Sequence, residues 1–354
     1  MEILLLALPA FMVPSLEPAC RSLLAQICAT TELIIATHQS TAKRVRQWLE
    51  DFQLIQRCQL IIIDNNIPLS MWVQDDFHVI RHPDGTPGLL ISQQAKPHVH
   101  SLLRQIADVT GMALTNVEYA PDGGNILAGK DRILIGGNDC YGKDTKKLPD
   151  FVSENFLSIA CPNKTSSELK QPLLLGGEEW EEVFHFGNKT NTCQPVFHID
   201  IFLSLAGRRQ DGRPRVLVGD PGMAARFLDC APHDHCSQSA FDDIADQLKA
   251  EGFDVVRNPL PLVYCDNEGS RERQWYFSSS NNAIVQDCST YGRIVWLPTF
   301  GHGNWPELAA TDAANINIWK NLGFDVRPIA NCQPLAENLG GLRCFTKTWT
   351  QSMA

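Results

Sequence analysis

The chain of 354 residues is 44% hydrophobic and 20% charged, with a formal net charge of −10 and a pI near 5.5. That balance suits a globular protein with a sizeable core and excludes disordered and low-complexity classes. The negative charge repels phosphate backbones and anionic lipid, so neither nucleic acid nor a membrane is an expected partner, whereas a cationic substrate is favoured.

The opening run MEILLLALPAFMVPS reads as a buried strand, lacking the basic lead-in and the small-residue cleavage signal of a secretion peptide. No apolar run reaches the roughly 20 residues that span a bilayer. The pattern then predicts a helix over 16–29, a strand over 32–36, a helix over 41–51 and a buried strand over 58–63. Later the same rhythm repeats visibly. LKAEGFDVVRNPLPL around Gly252 and WKNLGFDVRPIANCQPL around Gly323 lie 71 residues apart, and QIADVTGMALTNVEYAP places Gly111 another 141 residues before Gly252. Each reads as a helix closed by a glycine, a short strand and a proline-containing turn. A further copy is expected near 163–194, an irregular stretch that looks like an insertion. Units that mix helix and strand, and that cannot bury their own faces alone, stack or close into a ring. The expected architecture is therefore a single α/β domain over 1–354 built from four or five such units, with any site at the strand ends around a central channel.

The twelve cysteines are scattered singly, with no CxxC pair. Most are expected as small buried hydrophobes in a reducing compartment, the cytoplasm.

Four short segments carry polar residues between strand-like flanks. Ser70-Met71-Trp72-Val73-Gln74-Asp75-Asp76 sets two carboxylates beside an indole, a combination that grips a planar cation by paired hydrogen bonds and stacking, though it reads equally as a solvated turn. In Phe197-His198-Ile199-Asp200-Ile201-Phe202, strand alternation would turn His198 and Asp200 to one face, as general acid/base work requires, or leave them as a polar face in solvent. Asp122-Gly123-Gly124-Asn125 permits a close backbone approach, and is also an ordinary β-turn. Near the C-terminus, Gly340-Gly341-Leu342-Arg343-Cys344-Phe345-Thr346 brings a thiol behind two glycines with a cation beside it, which favours a thiolate; a lone cysteine is more often simply buried. His233-Asp234-His235-Cys236 has metal-ligand residue types, but consecutive ligands rarely converge on one ion, and a solvated loop is the default.

Taken in order, Trp-x-x-Asp, Asp-Gly-Gly-Asn, His-x-Asp and Gly-Gly-x-x-Cys-x-Thr resemble the guanidino-group modifying superfamily. The strings Trp72-Val73-Gln74-Asp75-Asp76, Arg132-Ile133-Leu134-Ile135-Gly136 with Cys140-Tyr141, and His198-Ile199-Asp200-Ile201-Phe202-Leu203-Ser204 look most like the catalytic domain of protein-arginine deiminases, without its N-terminal immunoglobulin-like domains. The resemblance implies a five-unit pseudosymmetric α/β propeller of the pentein type. It also implies that Cys344 is the nucleophile, His198 the general acid/base, and Asp75 and Asp200 the carboxylates on the guanidinium, with Trp72, Asp122, Asn125 and Arg343 lining the substrate. The reaction it implies converts peptidyl arginine to citrulline and ammonia. Free arginine or agmatine hydrolysis, or amidino transfer, is the alternative, because Asp122 and the missing arginines over 92–97 look more like the small-molecule enzymes. A non-catalytic arginine-binding module is the third reading. Calcium, which the resembled family uses, is expected to bind weakly or not at all: Gln74 and Asp76 keep its pattern, but His78 stands where a glutamate is expected. No other cofactor or metal is implied.

Overall fold

The computed structural model describes residues 3–82, 84–130, 132–140, 156–160, 168–185, 193–231, 233, 236–288, 292–303 and 305–349. These divide into two compact units, the first holding residues up to Gly123 and from Arg343 onward, the second those from Gly124 to Leu342.

Strands β1 (Ile3–Leu8), β2 (Glu32–His38), β3 (Cys58–Ile63), β4 (His78–Arg81), β5 (Pro87–Ser92) and β6 (Ala113–Val117) belong to the first unit. The second holds β7 (Ile126–Ala128), β8 (Ile133–Gly136), β9 (Phe156–Ile159), β10 (Glu168–Leu175), β11 (Glu178–His185), β12 (Leu203–Arg208), β13 (Pro214–Asp220), β14 (Asp254–Pro259), β15 (Leu262–Asn267), β16 (Glu272–Phe277), β17 (Ile284–Cys288), β18 (Gly292–Pro298) and β19 (Asp325–Ile329). The last strand, β20 (Thr346–Trp349), returns to the first unit.

Five of the six described sheets share one plan. In β4-β5-β6, β7-β8-β9, β12-β13-β14 and β17-β18-β19 the first pair is antiparallel and the second parallel. The fifth is assembled from both chain ends: β20 pairs antiparallel with β1, β1 pairs parallel with β2, and β3 extends the sheet. A parallel pair needs a long crossover, which four of the copies make with a helix: Val13–Leu24, Pro97–Thr110, Gln238–Ala250 and Ala309–Asn321. Where the expected glycines follow the last three helices, their φ angles of 71°, 86° and 85° carry the chain through the left-handed region that residues with a Cβ avoid. No sheet among the described residues closes on itself.

The even spacing read from the sequence is a local coincidence. The third strands begin at residues 32, 113, 156, 254 and 325, at intervals of 81, 43, 98 and 71 residues. The missing copy is β7-β8-β9, upstream of 163–194. What that stretch supplies is β10 and β11, which join β15 and β16 in a sixth sheet of order β10-β11-β16-β15. Its interleaved insertions lengthen the interval, since a surface insertion is tolerated wherever it can bury one face of its own.

β1 is buried along its whole length because it lies between β20 and β2, which explains an unbroken apolar run. The helix after it begins earlier than expected, with a proline in its first turn where a missing N–H costs nothing. In the first unit one apolar cluster joins Leu5, Ala7, Ile34, Leu89, Leu103 and Ile106 with Val73 and Phe77. In the second, Leu217, Val295, Leu297, Trp319 and Phe324 pack together. Of the nine cysteines whose side chains are described, five are buried. Among the described residues no helix is long and apolar enough to cross a membrane.

Candidate active site

In the first unit the short helix Val73–Asp76 carries Asp75 and Asp76. Its flanks are its anchors: Val73 and Phe77 are 0% and 1% exposed, and burying side chains of that size stabilises by roughly 2 kcal/mol each. Trp72, half-buried, precedes the helix with its N–H on Ser70 Oγ at 3.0 Å. The Gln74 N–H donates to the carbonyl of Cys344 at 3.2 Å, so the acid-bearing turn touches the turn of the thiol directly. Cys344 is 2% exposed.

The carbonyl of Gly123 collects two donors, Gln74 Nε2 at 3.3 Å and Arg343 Nη1 at 3.2 Å. Arg343 thus braces the 121–123 turn with part of the guanidinium that the sequence assigned to substrate. A Cβ on Gly123 would stand 1.9 Å from Gln74 O, so only glycine fits there. Asp122, next to it, is exposed. Lys347, which no motif singled out, is 5% exposed. It donates to Gln74 O at 3.0 Å and to Phe77 O.

Charge is crowded here. Burial, with Asp75 and Asp122 adding repulsion, pushes the Asp76 carboxyl up to about 7 against the pull of Lys347 and Lys96. Burial, helped by Arg343, pulls the Lys347 ammonium down to about 7, while Asp75 and Asp76 oppose the shift. Asp76 Oδ2 is buried without a hydrogen-bond partner among the described residues. His78 is buried with Nε2 2.8 Å from the carbonyl of Pro121. A carbonyl only accepts, so that nitrogen is the donor. Burial first, then the charges of Lys347 and Arg343, lower its pKa to about 3.

This His78 shift fixes a sign. The folded state holds the proton less readily than the unfolded chain, so the neutral ring contributes stability above the ordinary histidine pKa and loses it as pH falls toward 3. Between pH 7.5 and pH 4 the loss is ~3 kcal/mol. Asp76 runs the opposite way, because its raised pKa favours the folded state as pH falls below 7. Urea unfolding of wild type and His78→Gln at both pH values isolates the histidine: the variant should lack that ~3 kcal/mol of acid loss, and parallel behaviour of the two proteins would disprove it.

The same residues test the calcium that the resemblance brings with it. Calcium wants several free oxygen donors. The Gln74 and Phe77 carbonyls already face an ammonium, the Gln74 amide is turned to Gly123, and His78 presents a donor. The residues present do not fit a calcium ion.

In the second unit His198 is half-buried in extended backbone, φ −126° and ψ 146°, at the head of a 3-10 turn Ile199–Ile201. Strand alternation was expected here and does not occur. Ile199, Asp200 and Ile201 are 0%, 0% and 3% exposed, so no solvent face exists to enforce a period of two. Side chains take the place of a ladder. Asn125 Oδ1 accepts the Ile199 N–H at 3.2 Å, Asn282 Nδ2 donates to Asp200 O at 3.4 Å, and Ser279 Oγ donates to Ile201 O.

Asn125 is itself held by Gln194, whose Nε2 lies 2.9 Å from Asn125 Oδ1 and 3.0 Å from the carbonyls of Val196 and Phe197. The Asn125 oxygen therefore orients the His198–Asp200 turn. Gln194, Ser279 and Asn282, each no more than 1% exposed, were invisible to motif reading. A polar residue with no charge and no fixed spacing leaves no signal until its partner is known.

Of the histidine-rich loop, Asp234 and His235 lie outside the described residues, as does Tyr141. His233 packs on Trp275 at 4.5 Å and Phe184 at 4.9 Å between ring centroids. Cys236 is buried, its thiol pushed up to about 12 by desolvation. Among the described residues no cluster of histidine, cysteine and carboxylate could hold a metal ion.

No family model and no curated protein matches the chain. Solved structures do. The agmatine deiminase of C. jejuni superposes with a TM-score of 0.62 at 14% identity, over 98% of this chain and 92% of that one. A second structure, provisionally described as an agmatine deiminase, gives 0.62 at 11% identity over the same shares. A dimethylarginine dimethylaminohydrolase spans 98% of both chains at 12% identity, but its TM-score of 0.42 is too slight to bear on the fold. The first two establish the chain's α/β fold as that of the agmatine deiminase structures.

Proposed function

We propose that the chain is a hydrolase of small guanidino compounds, with agmatine the leading candidate, and that its five like sheets form the propeller of the pentein superfamily. The observation that carries the reading is the direct tie between the Asp75 turn and the Cys344 turn through the Gln74 N–H, on a fold like that of agmatine deiminases. The family resemblance gives Asp75 as a carboxylate on the guanidinium and Cys344 as the nucleophile.

In the proposed reaction the Asp75 and Asp200 carboxylates orient the planar guanidinium by paired hydrogen bonds. The Cys344 thiolate adds to its central carbon, giving a tetrahedral adduct. His198 gives a proton to the departing nitrogen, the C–N bond breaks, and ammonia leaves. A thiouronium remains on Cys344. His198 then takes a proton from water, hydroxide adds to the same carbon, and the C–S bond breaks as the O–H proton of the adduct passes to solvent. The products are the matching ureido compound and ammonia, and the thiolate is restored.

Protein arginine, the substrate implied by local strings, fits less well. An arginine would offer a peptide backbone a rigid fork of donors, and the turn after β5 has none, holding Gln93, Gln94, Ala95 and Lys96. Its own backbone is closed, Ala95 N–H on Ser92 O at 3.0 Å. Ammonia release from agmatine, free arginine and arginine peptides, assayed side by side, tests the proposal. Turnover of agmatine well above that of peptides is expected. Turnover of peptides alone would return the reading to protein deimination, and no turnover of any guanidine would remove the hydrolase reading.

A further inference from the structure

Lys347 stands three residues after Cys344, on β20, and the proposed chemistry does not use it. Burying an ammonium is costly unless oxygen acceptors surround it. Lys347 has them: Gln74 O and Phe77 O accept its protons, and it lies 4.9 Å from the centroid of the Phe77 ring. The Asp75 and Asp76 carboxylates favour its charge and Arg343 opposes it. Two backbone carbonyls with carboxylates near them is the kind of surrounding a hard metal cation seeks. Here the chain's own side chain takes that place.

The turn needs the help. A helix of four residues cannot hold itself, because nucleation costs more than so few hydrogen bonds return. Gln74 is instead gripped at both ends of its peptide groups, the N–H by Cys344 O and the carbonyl by Lys347.

We propose that Lys347 is a positioning residue, a built-in cation that ties the Gln74–Phe77 turn, and with it Asp75, to the strand following Cys344 in place of a bound divalent metal. The proposal rests on the reading of Asp75 as a substrate anchor. It differs from a merely structural role in where the loss appears: Asp75 misplaced weakens the grip on substrate, whereas a generally loosened fold lowers the amount of active protein.

Lys347→Met keeps an unbranched apolar stem and removes the charge; Lys347→Gln keeps an NH2 donor group and serves if the first variant does not fold. In either, the agmatine KM should rise at least tenfold while kcat falls less than threefold, and exchange of the Gln74 amide hydrogen should quicken at least tenfold. Wild-type turnover should be indifferent to EGTA and to added calcium chloride. A KM or a Gln74 exchange rate within twofold of wild type overturns the proposal, as does wild-type activity lost to EGTA and restored by calcium. If wild type turns over no guanidine at all, the hydrolase reading fails by itself, and the tether is then judged on Gln74 exchange alone.

Discussion

Cys344→Ala lowers kcat on agmatine by at least about 10⁴-fold, because the substitution removes the only atom proposed to bond covalently to substrate. Background catalysis from binding and electrostatics survives such removals in other nucleophilic hydrolases, so a residual rate above the uncatalysed one is compatible with the proposal. Agmatine should still bind the variant, since the carboxylates are untouched; isothermal titration of the alanine protein measures this. The fold should be little changed. Cys344 is buried, and trimming its –CH2SH to a methyl costs on the order of 1 kcal/mol. Full activity in the variant would remove Cys344 from the chemistry and overturn the proposed mechanism.

Asp75→Ala is expected to lower kcat/KM by about 10³-fold. Two hydrogen bonds to a charged partner are each worth ~2 kcal/mol, and ~1.4 kcal/mol is a factor of ten. The loss should lie mainly in KM, because the carboxylate grips the guanidinium before and during the reaction alike. Removing this charge also reaches its neighbours. Asp75 helps to keep Lys347 protonated and helps to raise Asp76. In the alanine variant both pKa values therefore move down from about 7, the ammonium losing a favourable charge and the carboxyl losing a repulsive one. Steady-state kinetics on agmatine checks the first effect, and a KM within threefold of wild type would argue against Asp75 as the anchor.

How far the sequence reached differs from feature to feature. The strand over 58–63 has the bounds its apolar run predicts, and Gly111, Gly252 and Gly323 have the positive φ angles that helix-ending glycines require. Such features are local, set by runs of apolar residues and by the one residue without a Cβ. The regular period failed because inserted strands interrupt it: β11 finds its partner in β16, some ninety residues on, which no repeat pattern could indicate. The His198–Asp200 segment was misread as a strand for a similar reason. Its backbone is claimed by Asn125, Ser279 and Asn282, and these are residues of other segments.

The roles proposed for Cys344 and Asp75 rest on residue type, order and family resemblance, because the chemistry of a guanidinium demands a soft nucleophile and paired carboxylates, and few residues can serve. The hydrogen bond that joins their turns was not legible there, nor was the charge state of the groups around them. Gln74 meets Cys344 across 270 positions of sequence. His78, Asp76 and Lys347 owe their shifted pKa values first to burial, which the fold creates and the one-dimensional order of residues does not contain. Local propensity and chemical identity are written residue by residue; desolvation and long-range pairing exist only once the chain has closed on itself.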